Sequence, residues 1–163
     1  MSWPARPDDT LVWSVGRTLL SEGLSLRLRL RGGSMAPFIR DGDEVEIAAC
    51  PPDPPRPGEV LLYRCGDGTA ATVVHRLVRV LARRAGGRLI FKGDANPWFD
   101  PPVLPAQVQG RVVARWRRGR RRDLTRGLGR GELYLSGAIC SALPPLALGT
   151  AWLRKAWRLR PWR

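Results

Sequence analysis

Histidine is nearly absent from this chain, and cysteine and lysine are scarce. There is one histidine (His75), with three cysteines (Cys50, Cys65, Cys140) and two lysines (Lys92, Lys155). A zinc finger or other Cys/His cage needs about four ligands close together, so no metal site is expected. An odd number of cysteines without paired spacing argues against a disulfide scaffold. Acidic residues are few beside the basic ones: 14 Asp and Glu face 28 Lys and Arg, a net charge of +14. The start of the chain has no basic, apolar leader; Met1-Ser2-Trp3-Pro4-Ala5-Arg6-Pro7 runs into Asp8-Asp9. Residues 11–20 are interrupted by Arg17. Neither a cleavable signal peptide nor an N-terminal membrane anchor is expected there.

What is present is a chain of 163 residues, 44% hydrophobic, enough for one domain with a real core. Residues 1–110 carry 14 cations and 12 anions, whereas residues 111–163 carry 14 cations and 2 anions. The excess charge therefore marks a basic C-terminal third that asks for an anionic partner. Residues 133–153 hold no charge but contain Pro144-Pro145, which breaks a spanning helix. Two short helices are expected there, lying in a membrane interface or covering the domain core. Residues 115–122, Arg-Trp-Arg-Arg-Gly-Arg-Arg-Arg, read as a solvated basic linker more readily than as a grip on nucleic acid. Trp152, Trp157 and Trp162 among the arginines of the tail fit an anchor on anionic lipid better than base readout. The location expected is cytoplasmic or peripherally membrane-associated.

Apolar spacing predicts a helix over residues 10–23, with Asp9 or Thr10 as cap and Gly23 as terminator. Leucine alternates with serine or arginine over 24–31, the pattern of a half-buried strand. Further strands are expected at 44–48, 59–64, 70–80, 88–92 and 108–116, separated by turn signals. The fold class is mostly β, a barrel or sandwich-like domain with a short N-terminal helix and a helical, basic tail. The expected organisation is an N-terminal segment (1–23), a catalytic β domain (24–114) and a basic linker and tail (115–163).

One constellation carries chemistry. The strand over 24–31 runs into Gly32-Gly33-Ser34-Met35-Ala36-Pro37, followed by Asp41-Gly42-Asp43. The sole histidine sits in the β-branched segment Val73-Val74-His75-Arg76. Then come the Lys92-Gly93-Asp94 loop, Asp100, and Gly110-Arg111-Val112. In this order and spacing, over about residues 24–114, these elements resemble the signal peptidase I family of serine peptidases. The base position of that family is His75 here, so the resemblance is to its histidine-base variety, with a signal-peptidase-like β domain. It implies Ser34 as nucleophile, His75 as general base and Asp100 as the orienting carboxylate, with Asp94 as competitor for that place. It further implies Gly33, Met35 and Pro37 beside the bound substrate, a leader- or signal-like peptide or protein cut near small side chains, and no cofactor. A serine hydroxyl needs such a base, and a carboxylate fixes the imidazole tautomer. Where the family carries a hydroxyl residue two before the nucleophile, this chain has Gly32. The alternative is a catalytically decayed nucleic-acid- or protein-binding module on the same β fold.

Overall fold

The computed structural model describes residues 7–65, 71–81 and 87–125. The expected helical tail and residues 133–153 lie outside the described residues. Helix α1 spans Pro7–Ser21. It ends in a Schellman turn: the Gly23 N–H donates to the Leu20 carbonyl at 3.1 Å and the Leu24 N–H to the Leu19 carbonyl at 3.0 Å. Gly23 takes the left-handed conformation (φ 78°) that this closure needs. Leu20 enters the core, whereas Val15 is exposed. The helix thus rests on the margin of the sheet.

Among the described residues, seven strands follow: β1 (Leu26–Arg29), β2 (Glu44–Ala48), β3 (Val60–Cys65), β4 (Ala71–Leu81), β5 (Arg88–Lys92), β6 (Val108–Arg117) and β7 (Arg120–Asp123). They form one antiparallel sheet in the order β1-β2-β6-β3-β4-β5, which does not close into a barrel. The long strand β6 carries β2 along one edge and β3, then β7, along the other. The leucine alternation of β1 places Leu26 and Leu28 opposite Ile47 and Val45, against the core. Arg27 and Arg29 point the other way and pair with Glu44.

Strand β3 is buried on both faces, and its alternation feeds two cores. Val60 and Leu62 join a first cluster with Leu20, Met35, Phe38 and Ile39. Leu61 and Tyr63 join a second with Leu77, Leu89, Phe91 and Val103.

The basic stretch 115–122, expected as a linker, is instead the β6–β7 hairpin. A two-residue turn at Arg118 and Gly119, both at positive φ, matches the twist of paired strands. Leu124, just beyond it, is part of the first core cluster. The β domain therefore extends past residue 114, through the described residues to 125. Trp116 lies between Arg27 and Arg121, whose guanidinium carbons are 4.1 and 5.3 Å from its ring centroid. Among the described residues, no helix is long and apolar enough to cross a membrane.

Candidate active site

Ser34 stands on the loop between β1 and β2, and several contacts fix that loop. The Leu30 N–H donates to the Asp43 carbonyl, and the Gly42 N–H to the Leu30 carbonyl. The Gly32 N–H donates to Asp41 Oδ1 at 2.7 Å. Gly32 has φ 96°, a region that L side chains rarely adopt, so the local backbone itself calls for glycine at this position. Beyond the serine, Met35, Phe38 and Ile39 sink into the first core.

Two arginines of β6 hold the far side of the loop. Arg117 makes a two-pronged contact with Asp43, from Nε to Oδ1 at 2.9 Å and from Nη2 to Oδ2 at 2.7 Å. Arg115 and Arg117 both donate to the Phe38 carbonyl. Burial pushes the Asp43 carboxyl upward, but the Arg117 guanidinium and the Arg40 N–H outweigh it and hold the group below the usual carboxylate range. These arginines are part of the scaffold of the serine loop. In the sequence they were indistinguishable from the other arginines of the basic run.

His75 and Arg76 are neighbours on β4, so their side chains leave opposite faces of the strand. His75 faces the second core. Its Nε2 is 3.0 Å from Ser34 Oγ, and its Nδ1 is 2.7 Å from Asp100 Oδ2. Burial raises the Asp100 carboxyl, while hydrogen bonds from His75 and Tyr63 and the charge of His75 lower it further, to below its ordinary range. An ionised carboxylate only accepts, so the imidazole proton belongs on Nδ1. Nε2 is then free to accept the Ser34 hydroxyl proton.

Arg76 faces the first core and meets the other acid. Its Nε donates to Asp94 Oδ1 at 2.7 Å and its Nη2 to Asp94 Oδ2 at 2.5 Å, with both side chains buried. Its Nη1 donates to the Gly58 carbonyl at 2.8 Å. The two acids of the 92–100 loop are thereby separated: Asp100 contacts the histidine, and Asp94 contacts the arginine beside it.

The same loop touches Ser34 through its backbone. The Ala95 N–H donates to the Ser34 carbonyl at 2.8 Å. A Cβ on Gly93 would lie 2.7 Å from that carbonyl oxygen, so only glycine permits the approach. Gly33 and Pro37 are exposed beside Ser34, whereas the Met35 side chain is 3% exposed and anchors the loop in the core. Next to Asp100, Trp98 and Phe99 are 54% and 58% exposed, an apolar lip on the loop that carries the carboxylate.

Sequence reasoning missed Tyr63. It is fully buried, and its hydroxyl donates to Asp100 Oδ2 at 2.7 Å. A tyrosine in the run Val60-Leu61-Leu62-Tyr63 reads as core, and nothing local ties it to an acid 37 residues away. A separate cavity of about 620 Å³, between α1 and the start of β6, is lined by Arg17, Cys50 and Arg64 and includes none of these groups.

The arrangement can activate a hydroxyl and stabilise the cation that results. That is the equipment of nucleophilic acyl transfer. No family model and no curated protein matches the chain.

Proposed function

We propose that this protein is a serine endopeptidase of the signal peptidase type, using Ser34, His75 and Asp100. The observation that carries the reading is the unbroken line Ser34 Oγ–His75 Nε2 and His75 Nδ1–Asp100 Oδ2, at 3.0 and 2.7 Å. Ser34 Oγ attacks the scissile carbonyl while its proton passes to His75 Nε2. The Asp100 carboxylate stabilises the imidazolium. The Ser34 backbone N–H serves as donor to the oxyanion. His75 then returns the proton to the leaving amine, and water, deprotonated by the same imidazole, releases the acyl group from Ser34.

The substrate is a peptide or protein with a short apolar segment bound in extended form and small side chains near the cut. Trp98 and Phe99 offer that segment apolar surface beside the site. The basic and apolar residues beyond 125 hold the enzyme at an anionic membrane surface. Nucleic acid is the less suited partner, since the Trp116 ring already has the Arg27 and Arg121 guanidinium groups in cation–π contact.

A second reading, a decayed binding module on the same fold, draws on Gly32, which offers no side-chain donor to an oxyanion. A panel of signal-like peptides with small residues at the cut separates the two. Wild-type protein cleaves at least one of them and Ser34→Ala cleaves none. Tight binding without cleavage by either protein favours the module.

A further inference from the structure

The hydroxyl of Tyr63 stands beside the histidine–carboxylate pair and is not accounted for by the three-residue mechanism. On β3, Leu61 is the register partner of His75, so Tyr63, two residues on, is its diagonal neighbour on the same face. Asp100 Oδ2 receives the Tyr63 O–H at 2.7 Å and the His75 Nδ1–H at 2.7 Å, on one and the same oxygen. The Tyr63 oxygen and His75 Nδ1 are 3.5 Å apart, both turned toward that oxygen.

Phe91 closes the unit. Its ring stacks on Tyr63 with centroids 4.1 Å apart and planes 19° from parallel. Its backbone carbonyl accepts the Asp100 N–H at 2.9 Å. One residue thus locates both the tyrosine ring and the carboxylate's backbone. The phenol has no freedom to turn away, and Asp100 has no freedom to present its other oxygen without losing a charge-assisted bond.

We infer that Tyr63 is a positioning residue that fixes the Asp100 carboxylate and, through it, the orientation of the His75 imidazole toward Ser34. The inference rests on the reading of Ser34, His75 and Asp100 as the reacting set, but its physical content can be measured without turnover. Burial and the neighbouring carboxylate hold the phenol far above its ordinary range, so it remains a donor. Without that donor, the carboxylate stays ionised and still accepts from Nδ1, but it is free to rotate and no longer holds the imidazole in one orientation toward Ser34. Hydrogen bonds to charged groups are strong enough that losing this one lowers kcat by about tenfold.

The test is Tyr63→Phe, which keeps the stacked ring and removes only the hydroxyl. The chain has a single histidine, so imidazole ¹⁵N signals belong to His75 without assignment. At pH 8 both proteins are expected to show the Nδ1–H tautomer, with the His75 Nδ1 signal shifted and broadened in Tyr63→Phe. On a cleaved peptide, Tyr63→Phe is expected to lower kcat about tenfold with KM within twofold. In an Asp100→Asn background the same change is expected to do less than twofold. Unchanged His75 signals in Tyr63→Phe overturn the inference. So does a tenfold loss that persists undiminished in the Asp100→Asn background, because the tyrosine then acts by some other route. A shifted and broadened His75 signal in Tyr63→Phe, with a wild type that cleaves no peptide, supports the positioning role while counting against the peptidase reading.

Discussion

Asp94 and Asp100 lie six residues apart on one loop and pair with adjacent residues of β4, Arg76 and His75, on opposite faces of the strand. The division predicts two different failures. Asp100→Asn leaves the histidine in the wrong tautomer and lowers kcat by on the order of 10⁴-fold, with a smaller loss of stability than Asp94→Asn. Asp94→Asn leaves the buried Arg76 charge without its counter-ion and costs about 3–5 kcal/mol of stability, while the folded fraction keeps most of its kcat. Thermal unfolding and peptide turnover, measured on both variants, read the two effects separately. The reverse ranking in kcat would assign the orienting role to Asp94.

Gly93 is where the loop backbone meets the carbonyl of Ser34. In Gly93→Ala the new methyl collides with the Ser34 oxygen at 2.7 Å and pushes the two segments apart. A destabilisation of about 1–3 kcal/mol is expected. The kcat loss should exceed what the unfolded fraction explains, because Ser34 shifts relative to His75. Turnover compared at a temperature where both proteins are fully folded checks this. Equal kcat there would mean that the contact does not position the serine.

Acid should loosen the serine loop. The folded-state carboxyl of Asp43 is held below the ordinary value of about 3.9. Its stabilising contribution is therefore complete above that ordinary value and lost as pH falls through the lower folded value. Asp100 adds to the same limb with the same sign. Urea midpoints measured from pH 7 down to pH 2.5 should fall steeply below about pH 4. Asp43→Asn should start lower at pH 7 and fall less. Parallel curves for the two proteins would remove Asp43 from the acid response.

The end of the β domain can be located by truncation. Because Leu124 belongs to the first core, a chain ending at residue 125 should fold and cleave short peptides, and one ending at residue 114 should not. If the remaining segment is a membrane-surface anchor, the full chain sediments with anionic vesicles. It is then largely released at 1 M salt, where the reach of a charge falls to about 3 Å. Replacing Leu143, Leu146 and Leu148 with Ser should weaken vesicle binding and leave the domain folded. Unfolding of the domain by these replacements would show that the segment covers the core instead.

Strand positions were legible wherever a single face is buried. The leucines of β1 and the Glu44–Ala48 alternation are of this kind. The serine and the histidine stood out by motif and order, since the chain has only one histidine to offer. The β6–β7 hairpin was hidden because eight residues, seven of them Arg or Trp, carry no alternation of apolar and polar types, and Arg118-Gly119 is a weak turn signal. The choice between Asp94 and Asp100 depended on which face of β4 each loop position reaches, and spacing along the loop does not encode that. Tyr63 was illegible for a related reason: its hydroxyl partner comes from a distant loop, while its ring satisfies every local expectation of a core residue.

The central claim is that Ser34 and His75 act as one catalytic unit, and the direct measurement is a double-mutant cycle on a cleaved peptide. Ser34→Ala and His75→Ala should each lower kcat by on the order of 10⁴–10⁶-fold in folded protein, and the double variant should lie no more than a few-fold below either. A folded Ser34→Ala protein that turns over the peptide at the wild-type rate would contradict the account.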